Sequence, residues 1–346
     1  YAEMGGQVGD RGTLTFADGE VIDVYDTKRE NGTAVHLTAK LPSDPGQELT
    51  AAIDVKARKA TSANHSATHL LHRALREVLG SHVEQKGSFV SPEVLRFDFS
   101  HFQKVTPEEL KKVEHLANKY VRQAIARDER RNVPIAEARA MGAMALFGEK
   151  YGDEVRVIRY GDSVELCGGT HVDNTGNIGM IRILSESSIA AGIRRIEAIT
   201  GERVEDALDT LQSTLHNIGQ LLNNAPDIVA ALKKYLDENA ELRHQVEEDM
   251  KQRATFLADK VIEQAHEVNG VTVATLTGLV LPDMVKNVAF EIRAKHPEHT
   301  IFIGATTDVA KKPLLTVMIT NDLAGKELNA SQLVREAAKA IKGGGG

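Results

Sequence analysis

The sequence predicts an α+β protein built from several successive parts. Residues 1–57 hold short β-like runs separated by Asp-Gly and Asn-Gly turns. Residues 58–200 mix helical and strand periods without a regular strand–helix–strand alternation. From residue 201 to about 268 helix formers run almost unbroken, and strands alternating with helices return after Gly270.

The first part, 1–57, carries turns at Gly5-Gly6, Asp18-Gly19, Asn31-Gly32 and Pro42 to Gly46, around runs such as Val21 to Tyr25 and Ala34 to Leu37. Tight hairpin turns need positive φ, which Asn-Gly and Asp-Gly supply, so a small β-barrel or meander is expected. In the second part, 58–200, Ala63, Ala67, Leu70, Leu71, Ala74, Leu75 and Val78 recur with a helical period, and Gly80 ends the run. Leu95, Phe97 and Phe99 alternate as on one face of a strand. Thr106 opens a second helix, expected to reach Arg127, with Pro107 in its first turn and Glu109 completing a capping box. Val155 to Tyr160, Ile178 to Leu184 and Arg194 to Thr200 are further strands.

In the third part, 201–268, Leu232, Tyr235, Asn239, Leu242 and Val246 step by three and four, the seam of a coiled coil or helical hairpin. The seam then slips by one place to Met250, Leu257 and Val261, and Asn224-Ala225-Pro226 is the natural corner. The last part, 269–346, predicts a small α/β domain: strands Val271 to Leu276, Thr300 to Ala305 and Leu314 to Thr320, with helices Pro282 to Lys295 and Ala330 to Ile341 between and after them. It ends in the glycine run Gly343 to Gly346.

Composition narrows the function. A formal charge of −7 argues against a wholesale polyanion binder but leaves room for a local basic patch. Aromatics are only 4% and Trp is absent, so base-stacking platforms are sparse. A single cysteine, Cys167, excludes an intramolecular disulfide framework and favours a reducing compartment, the cytoplasm. The opening at Tyr1, without an initiator methionine, is read as a fragment or a processed product.

The chemistry concentrates in two short stretches. In Asn64-His65-Ser66-Ala67-Thr68-His69, the two histidines lie four apart on a predicted helix, so both imidazoles project from one face. No Glu follows His65, so the general base of zinc peptidase helices is missing, and His72 one turn on is a rival ligand. Cys167-Gly168-Gly169-Thr170-His171 offers a sulfur and a third imidazole from a tight turn. His65, His69, Cys167 and His171 together form a Cys-His₃ set whose ligand types suit zinc. A Cys167–His171 nucleophile pair is the competing reading.

These stretches carry a resemblance. The glycine-rich opening Tyr1 to Gly12, His65 to His69, Gln85-Lys86-Gly87-Ser88, Leu95 to Phe99 and Cys167 to His171 resemble, in this order, the editing region of alanyl-tRNA synthetases. The helical stretch and the α/β part resemble that family's C-terminal oligomerisation and tRNA-binding region. Met4 departs from the family pattern, which has a small residue there, and the chain stops inside a glycine run that the family continues.

The resemblance implies hydrolysis of Ser-tRNA(Ala) and Gly-tRNA(Ala), with zinc at the four ligands and Thr68 and Gln85 at the substrate pocket. It implies an intact protein that is also an ATP-dependent alanine–tRNA ligase, whose synthetic motifs lie outside this sequence; no P-loop is present here. Arg194 and Arg195 are expected to touch tRNA phosphates, because Arg suits bidentate recognition. Arg96, Asp98, the cluster Arg127 to Arg131 and Lys311-Lys312 are expected to be solvent-facing. A homodimer through the C-terminal helices is the expected assembly. No general base is assigned. The alternatives are a free-standing editing hydrolase, and a non-catalytic tRNA-binding and dimerisation module with a structural zinc.

Overall fold

The computed structural model describes residues 1–144, 152–307, 312–325 and 328–340. Lys311 and the terminal glycine run lie outside them. The chain divides into two compact units, Tyr1–His216 and Asn217–Gly346.

The first unit opens with β1 (Gly12–Phe16), β2 (Val21–Glu30), β3 (Thr33–Thr38) and β4 (Leu49–Ile53), which form one antiparallel sheet in the order β3-β2-β1-β4. This corrects the expected barrel. The sheet is open, because β3 and β4 are its two edges and do not pair with each other. Closure requires matched tilt and stagger around a filled interior, and β4 is exposed along its whole length.

The helix α1 (Val55–Leu79) follows, N-capped by Asp54, whose carboxylate accepts from the Ala57 N–H at 2.9 Å. It packs on a sheet of β5 (Gln85–Val90), β6 (Leu95–Ser100), β10 (Ile181–Ala190) and β11 (Ile193–Thr200), in the order β10-β11-β6-β5. Beside it lies α2 (Pro107–Arg122), which begins with the expected Thr106–Glu109 capping box. The fully buried Leu71, Leu75, Phe97, Phe99, Val113 and Ile196 form the core of these layers.

The second helix ends five residues before the expected Arg127. Ala124 adopts a left-handed φ of 49°, and Asp128 to Arg131 belongs to a strand, not a helix end. That strand, β7 (Asp128–Pro134), leads to α3 (Ile135–Ala140) and pairs with β8 (Glu154–Tyr160), which pairs with β9 (Ser163–Leu166).

The helix α4 (Glu202–Leu221) carries the boundary at His216/Asn217, and α5 (Ile228–Glu263) follows it in the second unit. The corner between them falls where expected: Asn223 and Asn224 adopt left-handed φ values of 55° and 53°, and Asp227 caps α5. Along the first half of α5 the seam is bare. Leu232, Tyr235, Leu242 and Val246 are 47%, 46%, 59% and 60% exposed.

After the one-place slip the same helix becomes buried. Met250, Ala254, Leu257, Ala258 and Val261 pack on α6 (Pro282–Lys295) and on a sheet of β12 (His266–Val268), β13 (Val271–Gly278), β14 (Thr300–Thr307) and β15 (Pro313–Ile319). The slip therefore marks where α5 leaves solvent for a core. In that sheet β13 and β14 are parallel across α6, and β14 and β15 are antiparallel. The last described helix, α7 (Ala330–Ala340), packs on β15.

Candidate metal centre

The long helix α1 is buried on its polar side as well as its apolar one. Ser62, Asn64, His65, Ser66, Thr68, His69 and His72 all sit below the surface. Buried polar groups are tolerated only when they are paired, and most of these are. Asn64 donates to Ser91 O at 2.7 Å and accepts from Thr200 Oγ1 at 2.8 Å; Ser66 donates to Ser62 O at 2.8 Å.

The Cys167–His171 turn, between β9 and β10, closes over this face. Arg156 Nη1 donates to Cys167 O at 3.1 Å and to Gly169 O at 2.6 Å, and Arg127 Nη1 donates to His171 O at 2.7 Å. Glu129 accepts from Arg156 Nε at 2.9 Å and Arg131 Nε at 2.6 Å, tying the guanidinium groups together. Part of the charge cluster expected to be solvated thus clamps the turn. Gly169 must be glycine, since a Cβ there would overlap the His65 imidazole.

The four predicted ligands converge. One donor atom from each of His65, His69, Cys167 and His171 lies within 4.8 Å of the others. Cys167 Sγ is 3.3 Å from His65 Nε2 and 3.2 Å from His171 Nε2. His72 stands outside this group. Its Nδ1 lies 3.0 Å from Glu165 Oε1, and its ring packs on Phe97.

Hydrogen bonding fixes which ring nitrogens are bare. Gln7 Oε1 accepts the Thr170 peptide N–H at 2.9 Å, so it is the oxygen end of that amide, and His65 Nδ1, 2.7 Å away, must donate to it. Ser66 has given its only proton to Ser62 O, so His171 Nδ1, 3.1 Å from Ser66 Oγ, must donate as well. Both Nε2 atoms therefore carry lone pairs. The Glu165 carboxylate, 3.3 Å from His69 Nε2, leaves His69 Nδ1 bare, buried and without a hydrogen-bond partner among the described residues. The Nε2 lone pairs of His65 and His171 face the Cys167 thiol, and a donor atom of His69 lies within 4.8 Å of them. A cation satisfies all four donors at once, and the residues fit a metal ion.

Burial, reinforced by the neighbouring His69, pulls the His65 imidazole down to about 3. Burial lowers His69 and, further, His171. Burial works against the Glu165 carboxylate, but the imidazoles of His69 and His72 outweigh it and hold it at about 2. His65, His69 and His171 are therefore uncharged, the form a metal requires. A Cys167–His171 nucleophile pair fits less well, because the thiol lies between two bare nitrogens and not against a single oriented base.

A cleft of about 540 Å³ opens on the cluster, lined also by Met4, Gly5, Thr68, Gln85, Ser88 and Glu165. The Thr68 hydroxyl donates to Asn64 O at 3.0 Å, which leaves its lone pairs available. Arg194 and Arg195 lie on β11 and are not among the cleft residues. Arg195 forms a two-pronged bond with Asp98, at 2.6 and 2.8 Å, and Arg194 is paired with Glu186. The Arg96 guanidinium sits 4.4 Å from the Phe89 ring centroid, so Arg96 and Asp98 both have partners and are not simply solvated.

Residues 155–197, which include the Cys167–His171 turn, match the family described as the threonyl and alanyl tRNA synthetase second additional domain. The whole chain aligns with the alanine–tRNA ligase of Bacteroides fragilis (strain YCH46) at 56% identity over 346 residues. Along its full length, this chain is a homologue of the alanine–tRNA ligases. The alanine–tRNA ligase of Porphyromonas gingivalis is 51% identical over 346 residues and that of Flavobacterium psychrophilum 41% over 355 residues, each covering 100% of this chain. The homologue spans about two fifths of its relatives' length, 39% for B. fragilis and 40% for the other two.

Sequence reasoning picked out the four residues that converge here but missed the groups around them: Gln7, Ser66 and Glu165, with Arg127 and Arg156 behind the turn. Ser66 lies inside the His65–His69 stretch and Glu165 two residues before Cys167, so proximity to the ligands was the available clue.

The buried neutral histidines predict the acid response of the metal-free chain. Their folded pKa values lie below the unfolded value of about 6.5, so the unfolded chain takes up protons first and stability falls as pH drops below that value. Each such histidine contributes a slope of about 1.4 kcal/mol per pH unit. Glu165 acts in the same direction once pH falls below its ordinary range. Urea unfolding between pH 7.5 and 4.5 should show a steep loss, with a shallower slope in His65→Asn; an unchanged free energy over that range would contradict the assignment.

Proposed function

We propose that this chain is the editing part of an alanine–tRNA ligase and hydrolyses Ser-tRNA(Ala) and Gly-tRNA(Ala). The observation that carries the reading is the Cys-His₃ cluster at the floor of a cleft, in a chain homologous throughout to alanine–tRNA ligases. On this reading the intact protein also ligates alanine to tRNA(Ala) with ATP, in the cytoplasm. No helix among the described residues is long and apolar enough to cross a membrane.

An alanine pocket cannot strongly reject serine or glycine, because small differences in an apolar site are worth only about 1–3 kcal/mol. A second site that binds the seryl hydroxyl discriminates far more strongly, by about 10⁴ or more. Thr68 and Gln85 face the cleft and supply such recognition. In the reaction, water adds to the ester carbonyl, the bond to the ribose oxygen breaks, and the free amino acid and tRNA leave.

His65, His69, Cys167 and His171 would hold zinc. Zinc with four protein ligands supplies a fixed positive centre that positions the substrate. Glu165 is engaged by His69 and His72, so it is not assigned as a general base. Arg194 and Arg195 remain the proposed contacts to the tRNA end, and each would exchange its carboxylate partner for a phosphate. The four-part division at residues 57, 200 and 268 is kept on the same footing.

A second reading, a tRNA-binding module with a structural metal, draws on the complete four-ligand set and on the ion-paired arginines. Deacylation of Ser-tRNA(Ala) separates the two. The metal-loaded chain should release serine, and Cys167→Ala should lower the rate at least about 100-fold, the size typical of losing a positioned catalytic element. A metal-loaded, tRNA-saturated chain that never deacylates would leave the module reading in place.

The bare stripe on α5 supports self-association through the C-terminal helices. Sedimentation should show a dimer for the chain and a monomer for the Leu232→Glu, Leu242→Glu double variant. Equal masses for the two would defeat this assembly.

A further inference from the structure

The glycine-rich opening segment, whose role neither composition nor periodicity explains, reaches the ligand cluster through Gln7. We infer that Gln7 is the positioning residue of the metal centre, the brace that sets the helix ligand and the turn ligands in one frame. The inference rests on the metal reading of the four ligands.

Gln7 is 1% exposed. Its Oε1 accepts from His65 Nδ1 at 2.7 Å and from the Thr170 N–H at 2.9 Å, and its Nε2 donates to Thr170 Oγ1 at 2.9 Å. Thr170 Oγ1 also accepts from Ser62 Oγ at 2.8 Å, one turn before His65 on α1. A single side chain thus holds one ligand of the helix and the backbone of the turn that carries Cys167 and His171. No other residue described above touches both.

The brace is itself anchored by backbone hydrogen bonds. Val90 N donates to Gly6 O at 2.8 Å and Val8 N to Val90 O at 3.0 Å, so β5 grips the segment on both sides of Gln7. Gly6 lies against the Ser88 carbonyl with a φ of +84°, a close approach open only to glycine. Met4 and Gly5 continue past Gln7 to form one wall of the cleft.

The physical consequence concerns His65. An imidazole whose Nδ1 proton is held by a fixed oxygen presents Nε2 as a lone pair; without that oxygen the proton can sit on Nε2 and block it. Outer acceptors of this kind typically change metal affinity by about 10–100-fold.

The test uses the intact chain loaded with Co²⁺ and with Zn²⁺. Metal release to a chelator and the visible spectrum of the Co²⁺ form are compared for wild type, Gln7→Met and Gln7→Glu. Gln7→Met keeps the volume and removes the acceptor, and should release metal about 10–100-fold faster with an altered Co²⁺ spectrum. Gln7→Glu retains the acceptor and should stay close to wild type on both measures, a rescue that a space-filling role would not produce. If Gln7→Met does not fold, Gln7→Asn, one methylene too short to reach, replaces it with the same expectation. Wild-type release by the acceptor-lacking variant, or equal loss in Gln7→Glu, overturns the role of Gln7. A wild-type chain that binds neither ion overturns the metal reading instead.

Discussion

The structure of the first unit depends on keeping three buried imidazoles uncharged and correctly turned around one thiol. His65 and His171 commit Nδ1 to an oxygen, from Gln7 and Ser66, and turn Nε2 toward the Cys167 thiol, while His69 Nε2 lies 3.3 Å from an oxygen of Glu165. The oxygens come from the opening segment, from α1 and from β9, so the centre joins three separate pieces of chain. Misplacing any of them leaves an unpaired buried nitrogen, which costs about 1–3 kcal/mol.

This constraint explains why α1 departs from the usual amphipathic plan. Its apolar face packs on the β5-β6-β10-β11 sheet, while its other face buries Ser, Asn, Thr and His side chains, some of them paired across to Ser91 just past β5, to β11 and to the Cys167–His171 turn. The arginines behind the turn serve the same end. By donating to the carbonyls of Cys167, Gly169 and His171, Arg156 and Arg127 leave the side chains of the turn facing inward. Glu129 balances their charge.

Much of this was legible in the sequence wherever the determinant was local. The four-residue spacings within His65–His69 and Cys167–His171, the Thr106–Glu109 capping box and the Asn224-Ala225-Pro226 corner each depend on neighbours within a turn. What was not legible depends on distant partners. Gln7 is 58 residues from His65, and nothing in its own neighbourhood announces an acceptor. The Arg127–Arg131 run has the composition of a solvated surface, and only the approach of the turn over β7 and β8 gives it work. The four opening strands alternate as barrel strands do, but closure depends on whether β3 reaches β4, a question of sheet curvature that alternation does not encode. In α5 the register slip was visible, but its meaning was not, because the core it marks is supplied by α6 and β13.

X-ray absorption at the zinc edge of the purified chain addresses the cluster most directly. One equivalent of zinc should be bound, with one sulfur neighbour at about 2.3 Å and three nitrogens at about 2.0–2.1 Å. A first shell without sulfur, or a zinc site that survives Cys167→Ala unchanged, would show that the thiol and the imidazoles do not share an ion.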